Sequence, residues 1–219
     1  MRVSFKYFVV YKPYGILSQF SGEEETLKSL WDFPEDVYPV GRLDKDSEGL
    51  LLITNDKSLN HRLLDPKYRH ERIYWVQVEG EVDKKALNAL ENGVSIRVGG
   101  KDHLTQPAKA TRLPGPLPVP ERYPSIRFRK NIPDSWLALT LREGKNRQVR
   151  KMTASVGFPT LRLIRWAIEG LNISGFASGE VREFDRETLY RLLNIRDAPG
   201  AVDRHGGTKK PGKKNKKSV

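Results

Sequence analysis

Three acids fall within five residues of one segment, Gly41-Arg42-Leu43-Asp44-Lys45-Asp46-Ser47-Glu48-Gly49-Leu50-Leu51. Carboxylates so closely spaced can hold a cation, move a proton, attack an electrophile, or simply keep a turn in water. The Asp-x-Asp-x-Glu alternation stops after Glu48, lacks the rest of a calcium loop and is mixed with the cations Arg42 and Lys45, so no metal site is expected. The charged loop runs directly into Leu50-Leu51-Leu52-Ile53-Thr54, a short apolar run that reads as a buried strand. A loop anchored on such a strand is a firm mount for a single reactive carboxylate. A second concentration of charge, Glu143-Gly144-Lys145-Asn146-Arg147-Gln148-Val149-Arg150-Lys151-Met152, carries four cations whose plain reading is contact with phosphates or solvent; a cation within hydrogen-bond reach of a buried acid would favour its charged form.

The elements that must position these groups follow from periodicity. Asp56 reads as the N-cap of a helix that carries Leu59, Leu63 and Leu64 on one face and stops at Pro66. Residues 72–80 alternate and are rich in aromatic and β-branched side chains, which predicts a strand with Tyr74 on one side and Trp75 on the other, packed in the core. Asp83 to Glu91 predicts an amphipathic helix closed by Gly93, and the prolines at 114, 116, 118, 120 and 124 predict an extended surface loop. A strand is expected over Ser135–Leu141, a helix capped by Asn146 and running to about Val156, a strand over Phe158–Ile168, and a last helix capped by Asp185 with Leu189, Leu192 and Leu193. In the third of these helices Val149, Met152 and Val156 form the core stripe while Arg147, Arg150 and Lys151 point elsewhere. Strands and helices mix without regular alternation, so the fold class is α+β with a mixed, mainly antiparallel sheet and flanking helices.

Composition narrows the function. The 219 residues include no cysteine, which excludes thiol catalysis, cysteine-zinc sites and a disulfide scaffold. No apolar run approaches a membrane span and the first residues lack a signal-peptide core, so a cytoplasmic protein with no membrane partner is expected. The net charge is +12, of which residues 201–219 hold six lysines and Arg204 against Asp203. Such a balance points to a polyanion, with nucleic acid favoured. The expected division is a body over residues 1–197 and a basic, disordered tail over 198–219.

The segment Arg42-Leu43-Asp44 followed by Ser47-Glu48-Gly49-Leu50-Leu51 resembles the central motif of pseudouridine synthases, and Glu48 before Gly49 is similar to the RsuA branch, which modifies ribosomal RNA. Lys12-Pro13-Tyr14-Gly15 resembles the early motif of that family, Arg72-Ile73-Tyr74-Trp75-Val76 the strand with its tyrosine, and residues 143–152 its late basic helix. The order matches too, and the likeness covers residues 6–197. Asn146-Arg147-Gln148-Val149-Arg150 with Phe158 to Arg165 is most similar to the RluE-like enzymes of large-subunit (23S) ribosomal RNA. Many branch members have a histidine where Arg147 stands. The early motif lies near the first residue, leaving no space for a preceding S4 RNA-binding domain.

The resemblance implies a pseudouridine synthase fold of two subdomains around a central RNA-binding cleft, in a monomer that needs no cofactor and no metal. It implies Asp44 as catalytic carboxylate, Arg150 as the basic partner that keeps it charged, and Tyr74 as the ring that covers the target base. Arg42 would fill the place of the extruded uridine, its bland alternative being a salt bridge to Asp46 or Glu48. Arg147, Lys151, Lys145, Arg162 and Arg165 would contact RNA, Lys12 would support the fold or a phosphate, and Leu43 would pack beneath the site. The alternative is a non-catalytic rRNA-binding or ribosome-assembly protein on the same fold.

Overall fold

Two apolar segments far apart in sequence, β1 (Tyr7–Lys12) and β3 (Glu48–Thr54), lie antiparallel with every residue buried. In this computed structural model, which describes residues 4–126 and 132–196, the two strands are inner strands of a mixed sheet. Burial on both faces explains why they read as continuous apolar runs rather than alternating ones. Their odd and even side chains feed different cores. Val9, Tyr11, Leu50 and Leu52 pack with Leu59, Leu63, Leu189 and Leu193, whereas Phe8, Val10, Leu51 and Ile53 pack with Leu27, Val37 and Leu43.

Beyond β3 the sheet continues through β9 (Thr160–Ile168), β4 (Arg72–Glu79), β8 (Asp134–Leu141) and β7 (Lys109–Leu113). On the other side β1 pairs with β11 (Val181–Glu183). Two short strands, β2 (Tyr38–Pro39) and β10 (Leu171–Asn172), attach to β3 and β9. A separate hairpin joins β5 (Ser95–Val98) to β6 (Lys101–Leu104). The pairing of β3 with β9 is parallel and spans Glu48↔Ile164 and Gly49↔Arg165; the other strand pairs of the two sheets are antiparallel. Gly49 is required there, because a Cβ would lie 2.4 Å from the Arg165 carbonyl oxygen and its φ is +105°.

Four helices flank the sheet: α1 (Lys57–Leu64), α2 (Lys84–Asn92), α3 (Gln148–Ser155) and α4 (Arg186–Leu192). Asp56 and Asp185 cap α1 and α4 as expected, and Asp83, expected as the first residue of its helix, is the cap of α2, each accepting from backbone N–H of the first turn. Asp56 also accepts the hydroxyls of Tyr7 (2.9 Å) and Tyr190 (2.6 Å), tying β1, α1 and α4 together. A further core, with Val76, Val78, Leu137, Leu139, Leu90, Val149 and Met152, lies under α2 and α3. The α+β class and the mainly antiparallel sheet are therefore as expected.

Three local expectations are corrected. Leu64 is 44% exposed: Leu59 and Leu63 share a line at i and i+4, and the next residue turns about 100° away, toward solvent. Asn146 does not cap α3; that position belongs to Arg147, in the left-handed region at φ 53°, and the strand after the helix begins at Thr160 rather than Phe158. The tail over 198–219 lies outside the described residues, among which no helix is long and apolar enough to cross a membrane.

Candidate active site

A cleft of ≈ 940 Å³ opens where the loop before β3, the start of β4 and the loop before α3 meet. Its walls include Asp44 and Arg42 from the first, Tyr74 from the second, and Lys145 and Arg147 from the third. The volume lies in the usual range of ligand-binding clefts, roughly 300–1,000 Å³.

The Asp44 loop is held from below. Lys12, fully buried, donates through Nζ to the carbonyls of Pro13 (2.8 Å) and Ile16 (2.7 Å) and so fixes the turn carrying Gly15. The Gly15 N–H then donates to the Lys45 carbonyl (2.8 Å), while the Ser18 hydroxyl bonds both the N–H and the carbonyl of Leu43. Leu43 is buried, as expected of the residue beneath the site. Burial pulls the Lys12 ammonium down to about 8, partly opposed by Glu48, Asp46 and Asp44. Lys12 thus braces the fold instead of facing a phosphate.

The three acids do not converge. Asp44 faces the cleft, half-exposed, with Arg147 Nη1 3.6 Å from its Oδ2. Asp46 takes a bidentate grip from Arg147 (3.0 and 2.9 Å). Burial pushes the Asp46 carboxyl up, but those hydrogen bonds and the charges of Arg150 and Arg147 outweigh it, and the net shift is downward. Glu48 is buried against Arg162 (2.8 and 2.7 Å). Among the described residues no group of three or more His, Cys, Asp or Glu side chains could hold a metal ion.

Arg150 does not meet the carboxylate expected of it. Its Nη2 donates to the Asp46 carbonyl (2.6 Å) and lies 3.3 Å from the Asp46 carboxylate. Arg147, for which phosphate or solvent contact was expected, is the cation on Asp44. Its left-handed backbone is held by the neighbouring residues: Gln148 accepts from the Lys145 N–H (2.9 Å) and donates to Glu143 (2.6 Å), which also accepts the Gln106 N–H (2.8 Å). Lys145 is exposed on the rim, and Lys151 lies half-buried outside the cleft lining.

Tyr74 lies beside a β-bulge. The register between β4 and β9 shifts from Ile73↔Ala167 to Tyr74↔Arg165, leaving Trp166 as the extra residue. Trp166 stacks on Trp75 at 3.7 Å and 6°, on the face opposite the core that Tyr74 joins. Arg162 and Arg165, expected to contact RNA, are 6% and 5% exposed. Arg162 is committed to Glu48 and the Pro120 carbonyl, so it is an internal ion pair and not a phosphate contact. Arg165 donates to the Leu50 carbonyl (2.7 Å) in the floor of the cleft, and its Nη2 has no protein partner. Burial lowers its pKa, with Tyr74 opposing. Arg42 is exposed in the cleft and, among the described residues, makes none of the salt bridges weighed for it.

Sequence reasoning missed the role of Asp46 as the hub of both arginines, and the Glu143–Gln148 pair that sets Arg147. The second had a legible trace, an acid and an amide five residues apart at the entry to a helix.

Residues 6–155 match the family described as RNA pseudouridylate synthase. The chain is 49% identical over 181 residues to the ribosomal large subunit pseudouridine synthase E of Xanthomonas campestris pv. campestris, covering 81% of this chain and 95% of that one. It is 44% identical over 180 residues to the protein of the same name from Vibrio parahaemolyticus, covering 81% and 73%. A crystal structure of a pseudouridylate synthase superposes with a TM-score of 0.70 at 28% identity, covering 86% of this chain and 74% of the other. The four ordered motifs, the sheet that carries them and these relatives agree: the chain belongs to the RNA pseudouridine synthase family, in its RsuA branch and of the RluE-like kind.

Proposed function

We propose that this protein converts one uridine of large-subunit ribosomal RNA to pseudouridine with Asp44 as its catalytic carboxylate. The observation that carries the reading is the place of Asp44: it lies in the wall of the cleft that Tyr74 and Arg42 share, beside the Arg147 guanidinium at 3.6 Å. The large-subunit RNA comes from the relatives whose names carry it.

The isomerisation breaks the bond between ribose C1′ and uracil N1 and forms one between C1′ and C5. The proton on C5 leaves and N1 gains one, so atoms and electrons balance with no donor or oxidant. An ionised carboxylate beside the flipped base serves as nucleophile or base. Arg147 lies 3.6 Å from Asp44, and this single, exposed contact leaves the carboxylate lone pairs available. Tyr74 covers the extruded uracil. Extrusion costs a few kcal/mol, and Arg42, which makes no salt bridge among the described residues, is free to occupy the vacated stack. On this reading residues 1–197 carry catalysis and the basic segment 198–219 adds affinity for RNA.

The test is Asp44→Asn assayed on unmodified large-subunit rRNA by mapping of pseudouridine. Turnover should vanish while RNA affinity persists; retained turnover would remove Asp44 from its role. Intact RNA binding by the wild type with no pseudouridine formed would favour the non-catalytic alternative.

A further inference from the structure

Next to the catalytic cleft lies a smaller cavity of ≈ 350 Å³, lined by Arg62, Tyr68, His70, Asn194, Ile195 and Arg196, which the isomerisation does not use. We propose that it is a nucleotide subsite that takes a single-stranded ribonucleotide flanking the target uridine, with the base stacked on Tyr68 and its phosphate met by Arg62 and Arg196. The proposal rests on the reading that RNA occupies the cleft.

Continuity comes first. His70 lines both cavities, and Leu64, Pro66 and Arg69 of the same segment line the cleft, so one strand of RNA can run from one to the other. Tyr68 is 43% exposed, an aromatic ring left open beside cations. The rings of His61 and His70 lie 6.2 Å from it, and Lys67 Nζ is 4.8 Å from its centroid. Exposed aromatics among cations are how proteins hold unpaired nucleotides, since every base presents a π-face.

Charge selects the same occupant. Residues 61–72 contain Arg62, Lys67, Arg69 and Arg72 against Asp65 and Glu71. Both carboxylates are already engaged, Asp65 by Lys67 (3.0 Å) and His61 (3.5 Å), Glu71 by Arg142 (2.7 Å) and Lys109 (3.2 Å). Arg62 spends one nitrogen on the Arg196 carbonyl (2.6 Å), and Arg69 has no side-chain partner among the described residues. Arg72 is held by the Leu63 and His70 carbonyls and His70 by Glu169, so Arg62 and Arg69 are the guanidinium groups of this segment that meet no carboxylate and have donors to spare among the described residues.

The platform is also preformed. Tyr68 ends a single 3-10 turn, Pro66–Tyr68, which starts with proline and is capped by Asp65 through the Lys67 N–H (3.0 Å). Arg69 leaves it in the left-handed region at φ 53°. Rigid presentation lowers the ordering cost of binding.

The experiment uses the full chain and two substrates, a large-subunit rRNA transcript for turnover and hexauridylate for binding. Tyr68→Ala should weaken hexauridylate binding and raise KM by about 5- to 150-fold, the range for one stacked base, with kcat within about twofold. Tyr68→Phe should behave as the wild type, because stacking needs the ring and not the hydroxyl. As a readout free of mutation, irradiating the wild type with a 4-thiouridine hexanucleotide should crosslink Tyr68. An alanine variant that binds normally, a phenylalanine variant as defective as alanine, or crosslinks that avoid Tyr68 each overturn the subsite. If hexauridylate binding depends on Tyr68 but the transcript is not isomerised, the substrate reading falls and the subsite stands. Normal turnover and affinity in Tyr68→Ala do the reverse.

Discussion

Arg150 Nη2 sits 2.6 Å from the main-chain oxygen of Asp46, so the partly buried guanidinium grips the loop two residues past Asp44, whose carboxylate has its ion-pair contact with Arg147. The division has a chemical logic. A bidentate pair with an arginine saturates the lone pairs of a carboxylate. Asp46 accepts that embrace and fixes the loop, while Asp44 keeps one longer, half-exposed contact.

Asp46 should therefore matter to catalysis without touching the base. Asp46→Ala frees Arg147 and leaves Arg150 only its bonds to the main-chain oxygen of residue 46 and to Ser47, so the Asp44 loop is expected to drift, and a drift of about 1 Å costs on the order of 100-fold in turnover. Asp46→Asn, which can still accept one hydrogen bond, should fall between alanine and wild type. Adding Arg147→Ala to Asp46→Ala should cost less than the two single losses combined, because both act through one clamp. Steady-state kinetics on rRNA decides it, and a wild-type rate in Asp46→Ala refutes the clamp.

Arg162 belongs to stability. Removing one member of a buried pair strands the other charge, so Arg162→Ala should lower unfolding free energy in urea by about 3–5 kcal/mol. The double change Glu48→Leu with Arg162→Met should cost less than the single one. Where both forms are folded, RNA affinity should not move. A variant of normal stability and weakened affinity would return Arg162 to the RNA.

Lys12 gives a pH signature. Its folded pKa is lowered from the model-compound value of 10.5 to about 8, so between those values the unfolded chain holds a proton that the folded chain has released. Stability contributed by this group rises with pH across that window, by up to about 3 kcal/mol. Denaturant unfolding of wild type and Lys12→Met from pH 7 to pH 10 should show the wild type gaining relative to the variant. Parallel curves would mean that Lys12 keeps its charge. The comparison stops at pH 10 because burial holds Tyr11 and Tyr190 up to about 12, and ionisation of tyrosine then works in the opposite direction.

The sequence was most legible where one residue type has one local job. Asp56 and Asp185 cap helices because a short acceptor before an apolar period leaves few alternatives, and β3 and β4 follow from an apolar run and from an alternation rich in aromatic and β-branched side chains. The cleft was legible as a set of residues, with Asp44, Tyr74, Arg42, Lys145 and Arg147 all in its wall. Its wiring was not. Arg150 bonds a main-chain oxygen, which carries no side-chain signature. Arg162 and Arg165 look like surface arginines until the parallel contact of β3 with β9 places them inside the sheet. The hairpin of β5 and β6 went unseen because the Ser-Ile-Arg-Val alternation of β5 lasts only four residues and β6 is polar and largely exposed.

The missing side chain at position 49 has a bearing on the whole family of variants one could build here. With the Arg165 carbonyl oxygen where a methyl group would go, even alanine must wedge two neighbouring backbones apart. One of those backbones continues from the acid and the other runs beneath the tyrosine. The spacing between these two strands thus leaves room for no more than a hydrogen atom at position 49, several residues from both Asp44 and Tyr74.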